Sequence, residues 1–467
     1  MTAVPGLPAD LLHATAERRR QVALVVGAGC SLEAPTGLKL ARTYAEDAHA
    51  QLLRDGVLAD GDCIDPADLS ALASAVFVKT GSQADLVLRL PVNGFRLARP
   101  NKGYLLAAAL LREGVIETLL TLNFDLAMTA ALTAVCATEI AVIPGPTAAA
   151  RLASSTVVYL HRNVDEADPD RWILRTEALE TEWQDGWEET VARRVLTCPA
   201  LVFAGLGSPA AVLTKTVARI RESLGTDGHR AYVVDPSATT PFADALDLPP
   251  EAHIRVGWCA FMEELAGRVV EEFASELLAA ARALCEAHAW HDESEYVPAL
   301  SKRFHAVGLL AVGKMRSRWL LSPEDYVPDS SGVRGLIADL LLAVGLVERG
   351  LGDVDAEFDE DGAVDLVKDG TVRSRVLPVS GKGYLRWSAL EPLVMDSLTR
   401  YPGRRAPECV LVGGLVGGVG AEVGPPEDLV TGTRADDLVT GFTTPLIVPL
   451  DDLRSGGIER LAEVIGR

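Results

Sequence analysis

Glycines and polar side chains follow four apolar, strand-like segments in the first half of the sequence. Glycine amides can approach a phosphate group closely, and an imidazole can exchange a proton near neutral pH. In an open α/β sheet, ligands bind at the edge formed by the carboxyl ends of the strands. The four segments and the residues that follow them are Val22–Val26 with Gly27, Ala28, Gly29, Cys30 and Ser31; Val115–Leu120 with Asn123 and Asp125; Thr156–Leu160 with His161; and Ala200–Ala204 with Gly205, Gly207 and Ser208.

The glycine turn at residues 27–31 has two interpretations when it is taken alone. Backbone N–H groups after a strand can hold a pyrophosphate, and the dipole of a following helix, expected to begin near Pro35, favours the anion. The dinucleotide fingerprint of dehydrogenases requires a third glycine where Leu32 stands, which disfavours a standard dehydrogenase or flavin site. The alternative is a tight structural turn between a strand and a helix.

The other three strand ends also have structural explanations when each is considered separately. An aspartate can cap a helix, a histidine can be satisfied by its neighbours, and a glycine can simply allow a turn. It is much less expected that all four would lie at one sheet edge by chance than that they would form one functional site. The sequence therefore predicts a ligand site at this edge.

Short apolar segments alternate with helical stretches between about residue 21 and residue 266. Continuous apolar strands of this kind are typical of a parallel sheet that is covered by helices on both faces. Two more segments, Ala231–Val234 and His253–Val256, continue the alternation. We therefore predict an α/β fold, with a Rossmann-like parallel sheet in the N-terminal domain and an α+β region at the C-terminus.

The change of pattern beyond this point predicts two domains, 1–275 and 276–467. A long amphipathic helix, Glu263–Cys285, crosses this boundary, and residues 276–352 are expected to be mainly helical. The acidic segment 353–362 is expected to be a solvated loop, and residues 353–467 to be mixed α/β. The strand candidates of this last part are Val372–Pro378, Cys409–Val412 and Leu446–Val448.

The composition disfavours several classes of function. The 467 residues include 44 Lys and Arg against 65 Asp and Glu, a formal charge of −21, which disfavours direct nucleic-acid binding over a large surface. Seven scattered cysteines without a CxxC pair indicate reduced thiols rather than disulfides or a structural zinc site. Cys285, His288 and His291 form only a weak metal candidate, so no metal is expected. No apolar stretch is long enough to span a bilayer, which predicts a cytoplasmic protein.

The ordered set of strand ends resembles the bacterial sirtuin-like family over about residues 20–270. The matching motifs are Val26–Ser31 with Gly37 and Leu38, Thr121–Asp125, Tyr159–His161 with Ile173–Thr176, Phe203–Ser208, Val233–Pro236 and Trp258–Phe261. Three positions differ from the family pattern: Lys39 replaces a proline, Arg162 replaces the glycine after the histidine, and the aspartate expected near Ser208 is missing. The CxxC pairs of deacylating sirtuins are missing too, which favours the NAD-consuming branch, many of whose members act in antiphage defence.

The resemblance implies hydrolysis of the nicotinamide–ribose bond of NAD, with NAD as the substrate and no metal. Asn123 would hold the ribose hydroxyls and orient water, and His161 would act as the general base. Asp125 would fix the loop or contact the nicotinamide side. Gly27, Ala28, Gly29 and Ser31 would hold the diphosphate, and Gly205, Ser208 and Asp235 would line the adenosine half.

The resemblance also implies a cellular role and partners. Depletion of NAD would halt an infected cell as an abortive-infection response, and such an activity must be gated. A homo-oligomer, a HerA-type ATPase and a short prokaryotic Argonaute are the candidate partners. The alternative is a catalytically degenerate domain that binds a nucleotide or assembles a defence complex without turnover, while protein deacylation is disfavoured by the missing zinc cysteines.

Overall fold

The computed structural model divides into two compact units, Met1–Arg268 and Val269–Arg467. The residues that it describes are 6–151, 155–181, 183, 186–207, 211–225, 229–287, 308–312, 354–358, 364–381, 384–385, 409–414, 422–423 and 446–449. The domain boundary expected near residue 275 falls inside a helix, Trp258–Ala287, that begins in the first unit and continues into the second.

A seven-stranded sheet forms the centre of the first unit. Its strands are β1 (Val22–Val26), β2 (Ile116–Thr121), β3 (Ala141–Ile143), β4 (Thr156–Tyr159), β5 (Ala200–Ala204), β6 (Arg230–Val234) and β7 (His253–Ile254). Their order is β3-β4-β2-β1-β5-β6-β7, and every pair in it is parallel. All side chains of β1 and β5 are buried, as expected for strands covered on both faces. The predicted α/β class and Rossmann-like sheet are confirmed.

The chain changes direction in this sheet between β1 and β5. Strands β2, β3 and β4 lie on one side of β1, whereas β5, β6 and β7 lie on the other. The ends of four strands are level, because Val26 pairs with Thr121 and Ala204, and Thr121 pairs with Tyr159. The residues that follow these strands therefore meet at one edge, beside the crevice that ligands use in doubly wound sheets.

The first unit also contains helices, the last of which continues into the second unit. They are α1 (Ala9–Glu17), α2 (Ala41–Arg54), α3 (Leu69–Thr80), α4 (Ala84–Val87), α5 (Val92–Arg96), α6 (Lys102–Arg112), α7 (Ala127–Ala134), α8 (Gly186–Leu196), α9 (Ala211–Leu224), α10 (Pro241–Ala245) and α11 (Trp258–Ala287). Helices α8, α9 and α10 bury apolar side chains against the sheet. Helices α2 to α5 lie between β1 and β2 in the chain and form a subdomain with a core of its own. In the part of the chain that the structure describes, no helix is long and apolar enough to cross a bilayer.

The prediction of a helix near Pro35 is wrong, since α2 begins at Ala41. The glycine turn enters a short 3-10 helix, Ala28–Ser31, and the chain then continues as a loop. The buried side-chain amide of Asn101 donates to the Cys30 carbonyl at 2.8 Å. This bond joins residues that are 71 positions apart, so a local propensity argument does not include it.

A separate mixed sheet lies in the second unit. Its strands are β8 (Asp355–Phe358), β9 (Val364–Lys368), β10 (Thr371–Gly381), β12 (Cys409–Gly414) and β14 (Leu446–Pro449), while β11 (Tyr384–Leu385) pairs with β13 (Glu422–Val423). The order is β14-β12-β10-β9-β8; the β8–β9 and β9–β10 pairs are antiparallel, and the other two are parallel. Of the helical segment expected over 276–352, residues 276–287 belong to α11 and 308–312 are also helical, while the rest lies outside the described residues.

The acidic segment expected to be a loop contains a strand instead. Strand β8 pairs with β9, so Ala356 lies opposite Leu366. Ala356 is buried, whereas its neighbours Asp355 and Glu357 are exposed. Alternation along a strand sends the acidic side chains to the solvated face, so a high local charge is compatible with strand pairing here.

Candidate functional site

A cavity of about 490 Å³ lies at the carboxyl edge of the sheet, where the strand order reverses. One residue from each of four strand ends lines it: Gly27 after β1, Asn123 after β2, His161 after β4 and Gly205 after β5. The structure therefore brings together the four positions that lie far apart in the sequence. Ala28, Ser31 and Asp125 line the same cavity.

The two glycine turns pack against each other so closely that side chains do not fit. A Cβ on Gly29 would lie 2.6 Å from the Gly205 Cα, and a Cβ on Gly205 would lie 2.5 Å from the Cys30 nitrogen. Gly205 also has a φ of +65°, which favours glycine. The Gly27 amide donates to the Ala204 carbonyl and the Gly29 amide to the Gly205 carbonyl, both at 2.9 Å. These glycines thus close the crevice between β1 and β5.

The Ala28 amide is the N–H group of this turn that remains for a ligand. It has no hydrogen-bond partner among the described residues, whereas the amides of Gly27 and Gly29 are both engaged. Ala28 lines the cavity and begins the 3-10 helix. An anion placed here would meet this single free amide rather than the full set of amides that a glycine loop can offer.

A buried polar network holds Asn123 in place. Its side-chain nitrogen lies 3.1 Å from the Gly27 carbonyl oxygen, 3.1 Å from the Tyr104 hydroxyl and 3.3 Å from Ser31 Oγ. The Ser31 hydroxyl in turn donates to Asp125 Oδ2 at 2.9 Å. Because the amide NH₂ has two hydrogens and three acceptors around it, Asn123 is left with Oδ1 as the atom that can serve a ligand.

Tyr104 is a member of this network that the sequence analysis missed. Its hydroxyl also lies 2.9 Å from Ser31 Oγ, and its ring packs edge-on against Trp258. Burial raises the pKa of Tyr104 well above its ordinary value, so the hydroxyl stays protonated. The available sequence signal was Asn101, which caps α6 by accepting from the Tyr104 amide. A cap motif predicts where a helix starts, but it does not predict that the Tyr104 side chain joins the network around Asn123.

Asp125 fixes the loop after β2. Its Oδ1 accepts from the Ala127 amide at 3.0 Å, at the start of α7, while Oδ2 accepts from Ser31. Burial raises the pKa of the Asp125 carboxyl, against these two hydrogen bonds, which lower it. The arrangement links the glycine turn to the strand end that carries Asn123.

His161 is neutral at physiological pH. Burial, and then the adjacent Arg162 charge, lower its pKa to about 4, against a hydrogen bond to the Leu122 backbone that raises it. The imidazole lines the cavity and is partly buried. A neutral imidazole can accept a proton, which is the state that a general base requires.

Arg162, the residue after His161, has a left-handed backbone conformation. Its φ is +71°, an uncommon value for a residue with a side chain. The guanidinium lies 4.9 Å from the centre of the Trp187 ring, and its Nη1 lies 3.3 Å from Glu188 Oε1. Arg162 and Glu188 are 4% and 1% exposed. This buried pair connects the end of β4 to α8, directly beside His161.

The structure places the remaining predicted residues away from the cavity wall or does not describe them. Gly29 and Asp235 are not among the residues that line the cavity. Asp235 follows β6 and accepts from the Ser237 amide at 2.8 Å, as in a turn. Ser208 lies outside the described residues, as do His288 and His291 of the weak metal candidate. Within the described part of the chain, no group of three potential metal ligands occurs.

The opposite wall of the cavity comes from the α2–α5 subdomain and was not predicted. Leu40, Tyr44 and Phe95 supply apolar surface, and Arg42 and Asp68 supply charge. Leu38, Lys39, Ala41, Ala67, Leu69, Ser70, Leu90, Leu122, Phe124, Ile173, Leu174, Leu179, Glu180, Leu206 and Gly207 complete the lining. The residues of the α2–α5 wall are dispersed in the sequence, so only the packing of the subdomain reveals them.

Comparison with known proteins finds likeness among solved structures alone. No protein-family model and no curated protein matches the chain. A Sir2 homologue in complex with ADP-ribose is 18% identical over 57% of this chain and 97% of its own, with a TM-score of 0.34. A Sir2 homologue–NAD complex is 17% identical over 57% of this chain and 96% of its own, with a TM-score of 0.31. The α/β fold follows from the strand order and the parallel pairing of this chain itself.

Proposed function

We propose that the chain binds NAD in the cavity at the carboxyl edge of the sheet and hydrolyses its nicotinamide–ribose bond. The observation that carries this proposal is the convergence of Gly27, Asn123, His161 and Gly205 on one cavity of about 490 Å³. That volume lies in the usual range for small-molecule sites. The ordered sequence motifs around these four residues add independent support.

Hydrolysis breaks the bond between C1′ of the ribose and the pyridinium nitrogen. The bonding electrons leave with nicotinamide, positive charge develops on the ribose, and water adds to C1′. The Oδ1 of Asn123 is the atom left to accept a hydrogen bond from a ribose hydroxyl or from this water. Asn123 would orient the ribose or the water, because the hydrogen-bond network around its NH₂ group fixes its side chain.

His161 receives the proton in the proposed reaction. Its imidazole is neutral at physiological pH and lines the cavity, so it can take a proton from water or from a ribose hydroxyl as the bond to C1′ forms. Its low pKa makes it a weak base, but attack on a developing cation needs little proton transfer before the transition state. Arg162 and Glu188 would position His161 without touching the substrate.

The diphosphate of NAD would lie at the glycine turn. Ala28 would donate its free amide, while Gly27, Gly29 and Ser31 would shape the turn through the bonds they make within the protein. Asp125 would hold this turn against Asn123. Gly205, Ser208 and Asp235 are proposed for the adenosine half of the substrate, as the sequence resemblance implies.

The test is release of nicotinamide and ADP-ribose from NAD by the purified full chain, followed by mass spectrometry. Asn123→Ala and His161→Ala should each reduce turnover, while Asn93→Ala and His13→Ala, at exposed positions, serve as matched controls. Turnover that is equal in the site variants and in the controls would refute the assignment of the site.

A binding module without turnover is the second candidate function. Two observations favour it: the buried Arg162–Glu188 pair stands where the family pattern has glycine, and His161 is a weak base. This candidate predicts that NAD raises the unfolding temperature of the wild type but releases no nicotinamide. It also predicts that the α2–α5 wall, rather than Asn123, dominates affinity.

At the level of the cell, we propose that NAD depletion stops phage propagation as an abortive-infection response. The activity would be gated by assembly into a homo-oligomer or by a HerA-type ATPase or short Argonaute partner, as the sequence resemblance implies. Cells carrying the wild type should lose NAD after infection, whereas cells carrying Asn123→Ala should not. Equal NAD loss in both would refute this role.

A further inference from the structure

A second cavity, of about 690 Å³, lies around the amino end of β6 and the edge strand β7. Its lining shares no residue with that of the cavity at the glycine turns, and it includes His229, which precedes β6, and Arg221, near the end of α9. Its lining consists of Gly6, Pro8, Asp10, Arg221, His229, Arg230, Ala231, Tyr232, Pro249, Glu251, Ala252, His253, Ile254, Arg255 and Val256.

Three nitrogen atoms in this lining are buried and unsatisfied. Arg221 Nε, His229 Nδ1 and His253 Nε2 have no hydrogen-bond partner among the described residues. His229 is only 1% exposed. Buried polar atoms in folded proteins are nearly always bonded, so three such atoms around one cavity point to a missing partner.

The cavity is cationic in an acidic protein. Arg221, Arg230 and Arg255 outnumber Asp10 and Glu251 in its lining, whereas the whole chain carries −21. Asp10 already accepts hydrogen bonds from Arg230 and Tyr232, which compensates its charge. The donors left over would favour a negatively charged ligand.

We propose that this cavity binds a small phosphate-bearing anion through Arg221, His229 and His253. The unsatisfied Nε of Arg221 donates to a phosphate oxygen. His229 contacts the Leu196 carbonyl oxygen through Nε2 at 2.6 Å, so its Nδ1 donates to the anion when the ring is protonated. His253 contributes Nε2 from the edge strand. The site is independent of the NAD cavity.

Binding is coupled to proton uptake. Burial lowers the pKa of His229, the bond to the Leu196 carbonyl raises it, and the Arg221 charge lowers it again. An anion between the two side chains offsets their repulsion and favours the protonated ring. The other charged and titratable groups that face the cavity are Asp10 from α1, Arg230 and Tyr232 from β6, and Glu251, His253 and Arg255 around β7. Affinity therefore rises as the pH falls.

Isothermal titration calorimetry of the full chain with inorganic pyrophosphate tests this site. We expect saturable binding of pyrophosphate at this site, tighter at about pH 6 than at about pH 8. Arg221→Gln should weaken binding by about tenfold or more. Arg219→Gln, at an exposed position of the same helix that does not line the cavity, should leave binding unchanged.

Proton uptake is measured with sulfate, an anion that does not titrate in this range, in buffers of different ionisation enthalpy. Uptake should be lost in His229→Gln. Circular dichroism reports whether each variant folds, and His253→Gln, at a partly exposed position, replaces any that does not. Equal weakening by Arg221→Gln and Arg219→Gln, binding that does not change with pH, or no saturable binding of either anion would overturn the proposal.

Discussion

The cavity at the glycine turns and the cavity around β6 and β7 differ in how their polar atoms are satisfied. At the carboxyl edge of the sheet, Asn123, Ser31, Tyr104 and Asp125 bond to one another. Around β6 and β7, Arg221, His229 and His253 each keep a buried nitrogen that has no hydrogen-bond partner in the described part of the chain. The first arrangement is preorganised, since the protein itself holds these side chains in place. In the second arrangement the free nitrogens would bond to a ligand. The charge of the ligand, rather than a fixed geometry, would then determine its affinity.

The largest effect expected at the carboxyl edge is on chemistry. His161→Ala should reduce NAD turnover by about 10²–10⁴-fold, the usual contribution of a positioned general base. Steady-state release of nicotinamide measures it. Pyrophosphate binding at the second cavity should stay within experimental error, and a parallel loss of both properties would show that the two cavities are not independent.

The second-largest effect is expected on stability, when Gly205 in the closely packed glycine turns is replaced by alanine. Gly205→Ala places a Cβ 2.5 Å from the Cys30 nitrogen at a φ of +65°, so we expect the free energy of unfolding to fall by about 2–4 kcal/mol. Urea denaturation measures the change. Gly207→Ala, two residues along the same turn with open space around its Cβ, is the control and should change stability by less than about 1 kcal/mol.

The buried pair beside His161 should show coupling between its members. Arg162→Gly relieves the positive φ but leaves the Glu188 carboxylate buried with less compensation, so it should destabilise the protein. The double variant with Glu188→Gln should recover part of that loss. A double-mutant cycle should give a coupling energy of about 1–3 kcal/mol, and a coupling near zero would mean that the pair does not connect β4 to α8.

The smallest effect expected is on the pH dependence of stability. The pKa of His161 is about 4 in the folded protein, whereas an unfolded histidine titrates near 6.5. The unfolded chain therefore binds more protons between about pH 6.5 and about pH 4, and stability is lost as the pH falls through this window. His161→Gln should reduce that slope, measured by urea denaturation at several pH values, while His13→Gln at an exposed position should not.

The strands, and the sheet edge at which the candidate site lies, could be predicted from the sequence alone. Continuous apolar segments such as Val22–Val26 and Ala200–Ala204 coincide with β1 and β5, because a strand buried on both faces needs an apolar side chain at every position. Parallel strands then bring the residues after them to one edge, and Gly27, Asn123, His161 and Gly205 line one cavity as a result. Strand β3 has three residues and was missed, since so short a segment has no detectable pattern.

Which side chains share a cavity, and which of their atoms are left to bond a ligand, depends on the packing of distant segments. Tyr104 enters the Asn123 network from a helix outside the predicted motifs, and the α2–α5 subdomain supplies a whole wall. Asn101 donates to the carbonyl of Cys30, which lies 71 residues earlier in the turn before α2. Arg221, His229 and His253 meet because α9, β6 and β7 pack together. Hydrogen bonds and burial between distant residues are set by packing, and local sequence patterns do not encode their partners.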